Sequence, residues 1–236
     1  MCTVTFIPTD TSSYIFTSSR DERYDRRETI FPTIKFIGKN EVLFPQDKEA
    51  KGTWFAVSKN RVACLLNGAF KKHIRTLQYK KSRGIMLLNS FEYETIEQFA
   101  NQYSFFNMEP FTLILIQNTP GQLTELRWDG KQLFQKQLST QEKHIWSSST
   151  LYEPEVILER ERWFESWHEQ EGAIVEKSRR FHYKAGEEDR NNSVFLKRET
   201  KGTISITSLL KQEKNYELMY DDLENGIKKI DLENVF

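Results

Sequence analysis

Apolar and polar positions alternate from the start of the chain. "CTVTFIP" and "YIFTSSR" flank the turn-rich "TDTSS", and "GTWFAVS" and "VACLLN" flank "KNR", which predicts two β-hairpins within residues 1–67. Between them, residues 21–50 mix charge with Pro32 and Pro45 and predict a long surface excursion. In "SRGIMLLNSFEYETIEQFANQYS" apolar residues recur at three and four, the spacing of two helical pieces. Strands return with "FTLILIQ", "LTELRWD", "QLFQKQL" and "HIWSSST". The clearest helix is "EPEVILERERWFESWHEQ". Pro154 suits its first turn, and Val156, Ile157, Trp163, Phe164 and Trp167 can share one face. The charged "SRRFHYKAGEEDRNN" reads as loop, followed by two or three closing strands among "SVFLKRE", "TISITSL" and "NYELMYD". Blocks of strands separated by blocks of helices predict antiparallel sheet layered with helices, an α+β chain. No shift in composition marks a boundary, so one domain over residues 1–236 is expected.

Composition changes this picture little. Seventeen Phe and five Trp supply much of the core volume. Thirty-four basic and thirty-four acidic residues cancel, which removes any global attraction to nucleic acid or an anionic membrane. The longest apolar run, inside "FTLILIQN", is far too short for a membrane span, so no integral membrane segment is expected. The first residues lack the features of a secretory signal, and two distant cysteines make no disulfide framework. The expectation is a reduced, soluble, cytoplasmic protein.

The first cysteine carries the most specific chemistry. If "PTDTSS" closes the first hairpin symmetrically, facing residues sum to about 22. Pro8 then lies near Tyr14, Phe6 opposite Phe16, Val4 opposite Ser18, and Cys2 opposite Arg20. Opposed residues share a face, which sets a thiol beside a guanidinium. A neighbouring cation favours the thiolate, the reactive form. If Met1 is removed, Cys2 also offers its own α-amine, and Arg20 lowers the pKa of that amine too. Nucleophile and base then belong to one residue. The bland reading, a small residue at a strand start, stands beside this one.

"SSRDERYDR", with the opening "MCT", resembles the NRDE family, named for an Asn-Arg-Asp-Glu motif and including the eukaryotic transport and Golgi organisation protein two. The motif here reads Ser19-Arg20-Asp21-Glu22. "KGTWFAVSKNRVACLLNGAF" resembles the family's Gly-Thr-Trp segment, placing Gly52, Thr53, Trp54 and Asn67, and "KSRG" its Arg-Gly, here Arg83 and Gly84. "HIWSSSTLYEP" resembles a Leu-Ser-Asn segment with Ser148 at the Asn position, and "DRNNSVFLKRETKGTISIT" places Arg190.

The family is similar to the N-terminal-nucleophile (Ntn) hydrolases, above all the choloylglycine and penicillin V acylases. That resemblance implies a four-layer αββα sandwich of two antiparallel sheets flanked by helices. It implies Cys2 as nucleophile with its amine as base, and Arg20 and Asp21 as electrostatic and hydrogen-bond partners. Asn67 becomes an oxyanion donor, Arg190 a distal site residue, and Ser148 and Trp54 substrate-binding positions. The acylases place their Asp three residues after the Arg, where this chain has Arg23, so Asp21 serves the site only if the strand ends or bulges there.

Elsewhere, Cys64 in "VACLLN" reads as an inert core thiol. "WHEQEG" lacks the second His of a zinc-protease helix, and no Gly-rich phosphate loop is present, so neither metal nor cofactor is expected. Lys71, Lys72, His73 and Arg75 can meet an anionic ligand or form a plain basic loop. Two functions stay open: cleavage of a linear N-acyl amide, or non-catalytic binding of a hydrophobic ligand such as haem or a lipid. The expected partner is a small acyl or hydrophobic molecule and not nucleic acid.

Overall fold

The computed structural model describes residues 3–73, 79, 81–169, 174–213 and 215–232. In chain order the first strands are β1 (Thr3–Asp10), β2 (Ser13–Arg23), β3 (Thr29–Ile37), β4 (Asn40–Asp47), β5 (Phe55–Val57) and β6 (Arg61–Asn67). Helices α1 (Arg83–Asn89) and α2 (Ile96–Gln102) follow. Next come β7 (Phe111–Gln117), β8 (Gln122–Trp128), β9 (Leu133–Leu138) and β10 (His144–Ser147). Helices α3 (Pro154–Glu169) and α4 (Ile174–Lys184) precede the closing strands β11 (Lys201–Gln212), β12 (Asn215–Asp222) and β13 (Gly226–Asp231).

The chain forms two compact units. The first combines the chain up to Arg27 with Gln141–Ser147 and the stretch from Leu151 on. Its antiparallel sheet runs β10-β1-β2-β11-β12-β13. Helices α3 and α4 cover one face of it, where Phe164, Phe181 and Ala185 close on Ile7 and Val194, with Trp163 and Trp167 packed at the edge. Pro154 opens α3, where a residue without an N–H costs the helix nothing.

The second unit comprises Glu28–Thr140 and Ser148–Thr150. Its sheet is an antiparallel meander in chain order from β3 to β9. Met86, Leu87, Phe91, Ile96 and Phe99, contributed by α1, α2 and the turn between them, bury against Ala63, Leu65, Leu113 and Leu115. "FTLILIQ" is buried at every position of β7, which is why its sequence shows an unbroken apolar run in place of alternation. The expected α+β class, two antiparallel sheets with helices, is what the chain builds.

Three local expectations are corrected. Residues 21–50 are not a surface excursion: β2 continues to Arg23, and β3 and β4 are strands. Their prolines fit because β3 is an edge strand whose register with β4 shifts between Ile30 and Thr33, bracketing Pro32. Pro45 falls opposite that irregularity, and its carbonyl accepts the Thr53 hydroxyl at 2.6 Å.

The stretch from 178 is helical to Lys184. Ser178, Phe181, His182 and Ala185 lie at helical spacing and are all buried, but two of them count as polar in a pattern read from sequence. "SVFLKRE" is irregular apart from a bridge between Lys197 and Gly202, and the last strand is β13.

Candidate functional site

The first hairpin has the register its turn predicts: Pro8↔Tyr14, Phe6↔Phe16, Val4↔Ser18 and Thr3↔Ser19. Met1 and Cys2 lie outside the described residues. Strand alternation gives this hairpin two different faces. Val4, Phe6, Phe16, Ser18 and Arg20 share one. Opposite them across β2 and β11 stand Ser205, against Arg20, and Thr207, against Ser18. The face is apolar near the hairpin turn and polar at its other end. Arg20 is 3% exposed there, and the buried hydroxyls of Ser205 and Thr207 find no hydrogen-bond partner among the described residues. A buried guanidinium beside two unsatisfied hydroxyls is a polar surface suited to an oxygen-bearing group or ordered water.

The other face looks into the helices. Asp21 is 3% exposed, and its carboxylate accepts the Tyr152 hydroxyl at 2.7 Å and the Thr203 hydroxyl at 2.6 Å. The irregularity that sequence reasoning asked for near Asp21 exists, but on the neighbouring strand: β11 carries an extra residue between Thr203 and Ser205. Ser19, at the motif's Asn position, meets His182 Nδ1 at 2.8 Å, and Thr5 meets Nε2 of the same ring at 2.9 Å. Arg160 donates to the Thr3 hydroxyl at 2.6 Å, to Asn192 O at 3.0 Å and to Ser193 O. Its guanidinium lies 3.6 Å from the centre of the Tyr152 ring, a cation–π contact. The motif is therefore split by strand alternation, with Ser19 and Asp21 facing the helices and Arg20 facing away.

In the second unit, Asn67 and Ser148 come together. Asn67 closes β6, and the Ser148 hydroxyl, buried at 1% exposure, donates to the Asn67 carbonyl at 2.7 Å. Gly68 makes that turn possible. Its φ is +82°, and a Cβ there would come within 2.4 Å of Ser149 Oγ and 2.7 Å of Thr150 Cγ2. Trp54 is buried, and its carbonyl accepts the Leu65 N–H at 2.9 Å. Gly52 and Gly84 pack backbone to backbone, a Cβ on Gly52 falling 2.7 Å from the Gly84 carbonyl carbon.

Close by, Glu109 binds His73 Nε2 at 3.2 Å and Arg83 Nη2 at 3.1 Å, and Pro110 O accepts both Arg83 Nη1 and the Gly68 N–H at 3.0 Å. His73 is thus committed to a carboxylate, while Lys71 and Lys72 are exposed and Arg75 lies outside the described residues.

Arg190 is exposed on the loop after α4, at the rim of an open cavity of about 460 Å³ shared with Tyr183, Ser193, Phe195 and Lys197. Burial, and then the hydrogen bond to Asp221 at 2.6 Å, raises the Tyr183 phenol above its ordinary range. Among the described residues no group of three His, Cys, Asp or Glu side chains gathers as a metal ion requires, and no helix is long and apolar enough to cross a membrane.

Residues 1–225 match the family model of Transport and Golgi organisation 2. The chain belongs to this family. The match spans every strand except β13, and the loop that carries Arg190. No curated protein matches the chain. For this Transport and Golgi organisation 2 family member, the side chains that sequence reasoning missed are Arg160, Tyr152 and His182. Arg160 had a legible signal: it falls four residues after Val156 and four before Phe164, a charge inside an apolar stripe.

Proposed function

We propose that the protein is an N-terminal-cysteine hydrolase of linear N-acyl amides, with Cys2 as nucleophile and its α-amine as base once Met1 is removed. The observation that carries this reading is the register of β1 and β2. It is the register from which the sequence argument for a thiol beside a guanidinium started, and Arg20 is buried on the face of Val4 and Phe6. The amine takes the thiol proton and Arg20 favours the thiolate, which adds to the amide carbonyl. As the C–N bond breaks, the amine gives that proton to the departing nitrogen. Water, deprotonated by the same amine, hydrolyses the thioester and restores the thiol. Asp21 acts through Tyr152 and Thr203, which hold the strand end. Asn67 is the proposed oxyanion donor. Ser148, whose hydroxyl proton goes to the Asn67 carbonyl, orients that turn. Trp54 and Arg190 are proposed to contact substrate.

A panel of N-acyl amides tests the reading. Turnover that Cys2→Ala abolishes, and that Asn67→Ala lowers by roughly 100-fold or more as loss of an oxyanion donor does, supports it. Turnover unchanged by Cys2→Ala defeats it.

One observation favours a second reading, a carrier for haem or a lipid on the same fold. The hydroxyl standing where the family has a candidate oxyanion Asn is spent on a backbone carbonyl. Retention of lipid through purification, or a shifted haem absorption band, together with no turnover, would favour the carrier.

A further inference from the structure

The helix-facing side of the N-terminal hairpin is unusually polar for a buried sheet face, and each group on it is tied down. Thr3, Thr5, Ser19 and Asp21 occupy alternate positions of two neighbouring strands and are all buried. Arg160 holds Thr3, His182 bridges Thr5 and Ser19, and Tyr152 holds Asp21 while its ring carries the Arg160 guanidinium.

Arg160 has no exposed surface, and each of its hydrogen bonds ends on a neutral oxygen of Thr3, Asn192 or Ser193. Burying a cation in this way costs stability that an apolar side chain in the same stripe would not, and the best-attested return for such a group is register. A slip by one residue would turn Thr3 and Thr5 away from these partners and bring Val4 and Phe6 against them. Thr3 is also the last tie before position 2.

We infer that Arg160 and His182 are positioning residues that fix the frame of the N-terminal strand at Thr3 and Thr5, and through that frame tune the reactivity of the cysteine that precedes it. The inference rests on the proposed role of Cys2. Neither residue touches a substrate; both act through the hydroxyls of Thr3, Thr5 and Ser19. The frame sets two properties of Cys2, the midpoint of its ionisation and its accessibility once ionised.

Alkylation of Cys2 across pH, with the modified N-terminal peptide mapped so that Cys64 does not contribute, reads both. Thr3→Val keeps the shape of the strand and removes only the hydroxyl that Arg160 binds. Arg160→Met and His182→Gln remove the helix-side partners. In each folded variant the midpoint should rise towards the ordinary thiol value near pH 8.5, slowing reaction at pH 7 by roughly threefold, the effect of a half-unit rise. The plateau rate at high pH should change as well, because the frame of the strand next to the thiol is no longer fixed.

Midpoint and plateau both equal to wild type in Thr3→Val and Arg160→Met, with native near-ultraviolet circular dichroism, would overturn the inference. The plateau does not depend on the midpoint, so this result is decisive whatever the wild-type midpoint is. A wild-type midpoint at the ordinary thiol value overturns the nucleophile reading alone.

Discussion

Gly52 and Gly84 stand where two segments of the second unit touch through their backbones, and the Thr53 N–H reaches the Gly84 carbonyl at 3.3 Å. A methyl group on Gly84 would sit 2.7 Å from Thr53 O, with backbone on both sides and no flexible side chain to give way. Gly84→Ala should cost about 1–3 kcal/mol, in the range for forcing atoms into a packed interior, and a urea midpoint measures it.

Arg61 is the second residue-scale case. Its guanidinium donates to the carbonyls of Ser90, Tyr93 and Glu94 and to Gln117 Oε1, fastening the chain between α1 and α2 to β6. Burial pushes the group down to about 10, which leaves it charged at neutral pH. Arg61→Met should lose about 2–3 kcal/mol, the scale of hydrogen bonds to a charged group whose partners are left buried. The residues of the Gly-Thr-Trp and Arg-Gly segments were legible as landmarks. Their packing role was not, because two glycines thirty-two positions apart give no sign in sequence that their backbones meet.

At the scale of elements, periodicity was readable wherever a segment's polarity matched its burial. β7 and α3 agree with their patterns because most of the positions they bury or half-bury are apolar, Arg160, Thr112 and Gln117 being the exceptions, and the first hairpin agrees because its turn is short. Helix α4 was hidden because the side chains it buries include Ser178 and His182, which are satisfied by Ile174 O and by two strand hydroxyls. Strands β3 and β4 were hidden by prolines that an edge and a bulge tolerate.

Helix α4 also carries a pH signature through Tyr183, whose phenol is raised by burial first and by Asp221 second. The unfolded chain gives up that proton before the folded one does. The contribution of the group is therefore complete below about pH 10, the ordinary phenol value, and is lost as pH rises further towards the folded value. Tyr183→Phe should flatten the alkaline limb of stability against pH relative to wild type. Denaturant midpoints between neutral and alkaline pH test this, and two superimposable limbs would contradict it.

At the scale of the whole chain, the family relationship spans nearly all of the sequence, and every strand except β13 falls within it. How far the candidate site could be read differs by residue. The hairpin register, and with it the face that Arg20 shares with Phe6 and Phe16, followed from one short turn and strand alternation, whereas the burial of Arg20 did not. The partners of Asp21, Thr3 and Ser19 did not either, since Tyr152, Arg160 and His182 lie more than 130 positions away and arrive by folding. The Asn67–Ser148 contact is likewise a meeting of segments 81 positions apart.

The chemical state of the chain's first cysteine decides between an enzyme and a carrier. Its most direct test is alkylation of the purified wild-type protein across pH, with the N-terminal peptide mapped. The hydrolase reading predicts a chain that starts at Cys2 and a thiol whose midpoint lies well below the ordinary value near pH 8.5. A retained Met1, which ties up the α-amine in a peptide bond, or a midpoint at that ordinary value, would contradict it.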